Sequence, residues 1–147
     1  MAEEERIWVK AFCLFFRNDD REVLLIESRL PDGRFRYAPI GGTVEHLELS
    51  KDAAAREVKE ETGFALRTLR LLNVLENVFD LDDRTIHEIV FLYRAEFADD
   101  APCRQDLLQC VEADGRKFTA VWRNVAALRQ PETAFYPGSL RDVLLGS

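Results

Sequence analysis

The chain is poor in the residues that would announce several kinds of protein. Three cysteines (Cys13, Cys103 and Cys110) are odd in number and lack Cys-x-x-Cys spacing, which excludes a disulfide framework and points to buried or incidental thiols in a reducing cytosol. Two histidines, His46 and His87, are too few for an ordinary zinc site. No apolar run approaches the roughly 20 residues that span a bilayer, so no membrane segment is expected. Positive charge is short as well. Twenty basic residues face 27 acidic ones, a net charge of −7, which argues against tracking a nucleic-acid polymer. The acidic residues Met1 to Arg6 run directly into a strand-like segment, so no signal peptide is read there, and a cytoplasmic location is expected.

What is present is ordinary for a globular protein: 147 residues, 47% hydrophobic and 32% charged, read as one domain over residues 1–147. Val9 to Phe16 and Val23 to Glu27 have strand character, separated by the turn-like Arg17-Asn18-Asp19-Asp20-Arg21. Ser50 suits a helix N-cap and Gly63 the position just beyond the helix end. Leu66 to Phe79 and Thr85 to Phe97 read as strands around a turn at Asp80 to Arg84, and Phe118 to Trp122 as a last strand. Ala98 to Lys117 reads as a polar loop, and Val125 to Leu128 and Gly138 to Leu145 as helical. Strands on both sides of a central helix, with helices at the end, predict an α/β fold in which a mixed sheet is covered by helices.

Chemistry concentrates between Gly42 and Phe64. Gly42, Glu48, Arg56, Glu57, Glu60, Glu61 and Gly63 stand in fixed register, a coincidence with a chance on the order of 10⁻⁸ at any given position. On a helix, Glu57, Glu60 and Glu61 lie at i, i+3 and i+4 and share one face. Clustered carboxylates repel, and a hard cation resolves the conflict. Mg²⁺ takes oxygen ligands and combines a few carboxylates with waters and substrate phosphates. The alternative is a solvated acidic helix face. Arg56 flanks the face and is placed to hold Glu48 or Glu57 through a bidentate contact. Gly41 and Gly42 permit close backbone approach and would serve equally as plain turn glycines. An acidic protein with such a site suits a small nucleotide whose charge metal ions bridge.

This stretch resembles the signature of the Nudix hydrolases, with every required letter of the box present from Gly42 to Phe64. The resemblance implies a Nudix-type α/β/α sandwich with a mixed β-sheet. It implies Glu60 and Glu61 as principal metal ligands, Glu57 as a further ligand or base, the Gly41 carbonyl completing the metal site, and Arg56 and Glu48 orienting the carboxylates. The implied catalytic set is therefore Glu57, Glu60, Arg56 and Glu48, with Mg²⁺ as cofactor and Mn²⁺ as the alternative ion. The implied reaction is attack of water on one phosphorus of a diphosphate. Two departures are mild: Phe64 replaces an aliphatic residue, and Leu47 stands where many relatives carry glycine. Family subsets for ADP-ribose carry a proline about 15–16 residues past the motif, where Phe79 and Asp80 stand here. Subsets for dinucleoside polyphosphates carry a tyrosine slightly further on, where Leu81 and Asp82 stand. A nucleoside triphosphate, ordinary or oxidised, cleaved to monophosphate and pyrophosphate is the leading expectation, with ADP-ribose and dinucleoside polyphosphates kept as alternatives. A nucleotide-sensing module without turnover is the competing class, and a monomer or homodimer is expected.

Candidate substrate residues are Arg29, Arg34, Arg36, Tyr37 and Tyr136. The arginines would clamp phosphate and the rings would stack on a base or pack in the core. Glu88 reads equally as an extra carboxylate facing the site or as an exposed strand end. Glu112 and Asp114 read as solvated loop residues, and Trp122 as core.

Overall fold

A computed structural model describes residues 5–146, so most of the acidic lead read at Met1 to Arg6 lies outside the described residues. Two sheets form the middle of the molecule. The first joins β5 (Ile40–Thr43), β1 (Ile7–Leu14), β7 (Arg84–Phe97) and β6 (Leu66–Leu81) in that order. The second runs β10 (Ala134–Phe135), β4 (Phe35–Ala38), β3 (Glu22–Arg29), β9 (Lys117–Asn124) and β8 (Leu107–Val111), with β2 (Phe16–Arg17) paired to β3. Both are mixed: β1 runs parallel to β7 and β10 parallel to β4, while the other pairs are antiparallel.

Alternation along the strands divides the core into two layers, since successive side chains point to opposite faces. On one side Ala11, Cys13, Phe15 and Leu24 meet the helix α1 (Ser50–Thr62) through Ala53, Ala54 and Val58. On the other, Phe12, Leu14, Val23 and Leu25 meet Leu128 of the 3₁₀ turn Ala126–Arg129 and Leu140 and Leu145 of α2 (Leu140–Leu145). The result is an α/β/α sandwich. Complete burial of a side chain such as Val58 or Leu24 stabilises this arrangement by about 1.5–3 kcal/mol each.

Gly63 ends α1 in the left-handed region, φ +82°, and its N–H bonds the Lys59 carbonyl. The N-cap is Leu49 rather than Ser50. Ser50 is already helical, and its hydroxyl instead shares a 2.6 Å hydrogen bond with Tyr93. The stretch Ala98 to Lys117, expected to be loop, contains the 3₁₀ turn Ala101–Arg104 and strand β8. Leu108 and Cys110 of β8 point into the core while Leu107, Gln109 and Val111 are exposed. Five alternating residues inside a polar stretch carry too weak a period to be read without their partner β9. Phe35, Arg36 and Tyr37, just before the motif, lie on strand β4. Cys13 and Cys110 are buried, Cys103 is exposed, and all three are free; burial pushes the Cys13 thiol up to about 12. Among the described residues no helix is long and apolar enough to cross a membrane.

Candidate active site

β5 lies antiparallel to β1 with Gly42 opposite Ala11 and Gly41 opposite Phe12, beside the face of α1. Both positions leave no room for a side chain. A Cβ on Gly41, where φ is +153°, would stand 2.8 Å from Phe12 Cα and closer still to the Ala11 carbonyl. A Cβ on Gly42 would stand 2.6 Å from Glu57 Oε2. The glycines let the strand press against the helix so that the Glu57 carboxylate rests on the backbone.

Arg56 organises the acidic residues around it. Its Nε donates to Glu48 Oε2 at 2.7 Å and its Nη2 to Glu48 Oε1 at 3.0 Å, a bidentate pair. Nη2 also donates to the Thr43 carbonyl at 3.1 Å, and Nη1 to Glu57 Oε1 at 3.0 Å and Glu60 Oε2 at 3.2 Å. Of the two partners the sequence allowed it, Arg56 therefore holds both. The Arg56 hydrogen bonds, with one from the Glu45 N–H, draw the Glu48 carboxyl down to about 2.

The three helix carboxylates differ in depth. Glu60 is half exposed, Glu57 is mostly enclosed, and Glu61 is buried at 6% exposure with Oε1 lacking any hydrogen-bond partner. Burial first, then the charges of Glu57 and Glu112, push the Glu61 carboxyl up to about 8, while a backbone hydrogen bond from Gly41 draws it back. Glu57 is raised by burial against the lowering pull of Arg56.

Glu60 lines a pocket with Glu61, Gln109 and Lys117, whereas Glu57 and Glu61 open onto a neighbouring cavity of about 450 Å³ whose walls also include Glu112, Gly41, Lys10 and Arg36. Glu112, read as solvated loop, arrives here because β8 ends beside α1. Asp114 stays outside, paired with Arg116 at 3.0 Å. A second cavity of about 410 Å³ lies alongside and shares Lys10, Arg36 and Tyr136 with the first. Trp8, Phe79, Leu81, Arg84, Ile86 and Glu88 complete it.

The five candidate substrate residues separate. Arg36 and Tyr136 line both cavities. Arg29 bonds the Gly33 carbonyl and lies 4.4 Å over the Phe35 ring, and Arg34 pairs with Asp32 at 2.8 Å; neither lines either cavity. Tyr37 is buried in the layer next to α2, its hydroxyl donating to Glu27 beside Arg123. Strand alternation separates Arg36 from its neighbour Tyr37. Lys10, Trp8 and Arg84 carried no sequence motif. The available signal was Lys10 itself, a lone cation at an inward position of an apolar strand.

The oxygen donor set and the unpartnered Glu61 Oε1 fit a hard divalent cation, since a buried carboxylate without a partner is costly unless a positive charge meets it. Among the described residues no three acidic, histidine or cysteine side chains close into a metal cage.

The family model of the NUDIX domain matches residues 8–143, nearly the whole chain. This chain belongs to the Nudix hydrolase family. A MutT NUDIX hydrolase from Burkholderia pseudomallei superposes with a TM-score of 0.68 at 26% identity, covering 96% of this chain and 99% of that one. Diphosphoinositol polyphosphate phosphohydrolase 2 of Rattus norvegicus is 46% identical over 70 residues, 46% of this chain and 37% of that protein. Diphosphoinositol polyphosphate phosphohydrolase 3-alpha of Mus musculus is 44% identical over 78 residues, 52% of this chain and 46% of that protein. The matches thus span less than half the length of these relatives.

Proposed function

We propose that this chain is a Mg²⁺-dependent pyrophosphohydrolase that cleaves a diphosphate bond in a nucleoside diphosphate linked to a further group. A nucleoside triphosphate, ordinary or oxidised, is the preferred substrate. The observation that carries this reading is the buried, unpartnered oxygen of Glu61 in a cavity also lined by Glu57, Glu112, Lys10 and Arg36. Glu57, Glu60 and Glu61, with the Gly41 carbonyl, would hold the ion, which when bound neutralises phosphate charge and acidifies a coordinated water. Arg56 keeps Glu48 and Glu57 in place through three hydrogen bonds, with two more to the Thr43 carbonyl and Glu60. Lys10 and Arg36 attract the phosphates at the junction of the cavities, and Tyr136 gives the substrate an aromatic wall. Glu57 or Glu112 accepts the proton of the attacking water as the new P–O bond forms. The bridging P–O bond breaks, and pyrophosphate and the monophosphate leave.

A second reading is supported by the names of the relatives and by the three cations Lys10, Arg36 and Arg84 around one cavity: a diphosphoinositol polyphosphate as substrate. Product analysis decides between them. Purified protein is given nucleoside and deoxynucleoside triphosphates, an oxidised guanosine triphosphate, ADP-ribose, a diadenosine polyphosphate and a diphosphoinositol polyphosphate, with Mg²⁺. Metal-dependent turnover lost in Glu60→Gln supports the hydrolase. Binding without turnover across the whole panel overturns it in favour of a sensing module.

A further inference from the structure

The middle of β7 reads Ile89-Val90-Phe91-Leu92-Tyr93, apolar at every position. A strand with one face in water alternates apolar and polar side chains, whereas an unbroken apolar run belongs to a strand covered on both faces. Among the described residues only one face of this stretch is fully covered. Val90 and Leu92 are completely buried in the layer next to α2. On the opposite face α1 begins over Tyr93, where the Ser50 and Tyr93 hydroxyls meet, and runs toward Phe97, against which Phe64 packs. Ile89 and Phe91 lie before the helix begins and stay partly exposed.

The neighbouring strands extend this open face. Parallel pairing with β1 sets Ile7 beside His87 and Val9 beside Ile89. Antiparallel pairing with β6 sets Val78 beside His87 and Val74 beside Phe91. Side chains opposite one another in a ladder share a face. Val78 is 63% exposed and Ile7 54%, with Leu71 and Val74 close to half. Together these residues make an apolar patch on the order of 500 Å², near the upper end of what a monomeric protein shows to water. β6 also ends its sheet. Among the described residues its outer edge is unpaired along 16 residues that contain neither proline nor lysine, two of the usual guards of an edge.

We propose that this face of β1, β7 and β6 docks a second copy of the chain in an isologous dimer. The size suits that occupant, since a stable interface removes about 800 Å² from each partner around an apolar centre. The charges suit it as well. Glu76, opposite Ile89, and His87 are the ionisable members of the patch, one an acceptor and the other a donor. A two-fold axis repeats every contact, so each Glu76 can receive the imidazole N–H of the partner's His87. A partner recruited by charge would need a field of one sign, and this patch offers none. The same three strands turn Trp8, Glu88 and Phe79 to the second cavity, so the dimer contact braces one wall of that cavity from behind. Dimerisation here is independent of which substrate is cleaved.

Sedimentation of the wild type over a micromolar dilution series, beside Val78→Arg and Leu107→Arg, tests this. The wild type should sediment at twice 16.9 kDa and dissociate on dilution. Val78 is mostly exposed within one chain, so arginine there leaves the fold intact, which circular dichroism checks. It should weaken the dimer by at least about 30-fold, the threshold of an interface hot spot. Leu107→Arg places the same charge at an exposed apolar position of the other sheet and should leave the dimer unchanged. A wild type that stays monomeric throughout overturns the proposal, whether or not a foreign strand then adds to the β6 edge. A dimer that survives Val78→Arg, or that Leu107→Arg disrupts equally, lies on another surface and overturns it too. Hydrogen exchange on the wild type needs no variant: protection of the amides from Val74 to Val78 should rise as the dimer forms, and unchanged protection rejects this face.

Discussion

The carboxylate of Glu57 fills the space that a side chain on Gly42 would need, with Glu57 Oε2 2.6 Å from where that Cβ would stand. A strand and a helix are thereby brought into contact at a glycine, and the contact fixes one acidic group of the candidate site.

Gly42→Ala is expected to displace Glu57 without unfolding the chain, because only one carboxylate has to move. Activity on the best substrate should fall about a hundredfold, the scale of a misplacement of about 1 Å. Steady-state kinetics beside a thermal melt checks this; full activity in the variant would show that the Glu57 position is immaterial.

Arg56→Lys keeps the charge and loses the fork that grips both Glu48 oxygens. Affinity for Mn²⁺ should weaken by about 10- to 100-fold, as when an outer partner of a metal ligand is removed. Titration followed by electron paramagnetic resonance reads this directly, and an unchanged affinity would remove Arg56 from the site.

Glu61→Gln should separate stability from function. Near neutral pH the buried carboxyl is costly to ionise and has no cation in the metal-free protein, so the amide raises the metal-free Tm. Metal-dependent turnover should fall by at least about a hundredfold, the upper end of the loss for an outer partner. A lower metal-free Tm would contradict the account.

The pH response follows with its sign worked out. Glu61 titrates at about 8 when folded against an ordinary value of 4.5, so the folded state holds the extra proton between them. Metal-free stability should therefore decline as pH rises from about 4.5 to 8. Glu48, drawn down to about 2, acts oppositely: its contribution is present above 4.5 and is lost as pH falls toward 2. Melts across this range should show a maximum near the lower carboxylate range, and added Mg²⁺ should raise Tm more at pH 8 than at pH 6, since the ion displaces the Glu61 proton.

Leu47 occupies the left-handed region at φ +67° and is 92% exposed. The conformation costs a leucine about 1–2 kcal/mol and glycine almost nothing, with part of the gain offset by the freer unfolded chain. Leu47→Gly should raise Tm by about 2 °C with kinetics unchanged. A lower Tm would show that the Leu47 side chain packs on something in solution.

The acidic part of the site was legible because it is local. Glu48, Arg56, Glu57, Glu60 and Glu61 lie within one loop and one helix, so spacing alone places them together. Gly63 likewise ends the helix by its own backbone freedom. The depth of each carboxylate was not legible. Glu61 is buried and Glu60 exposed because β5 and β8 pack on one flank of α1, and no spacing rule contains those strands.

The long-range contributions were decided by the tertiary structure alone. Lys10 and Trp8 reach the cavities because β1 pairs with both β5 and β7, Glu88 because β7 crosses beside them, and Tyr136 because the segment after β10 folds back over Arg36. Arg34 lies two residues before Arg36 and Tyr37 one after it, yet a turn and a two-residue alternation direct them elsewhere. Sequence by itself determined the helix, its carboxylates and the family they belong to, since those depend on neighbours a few residues apart. The shape of the substrate cleft came from pairing strands far apart in the chain, whose register only the packed core selects.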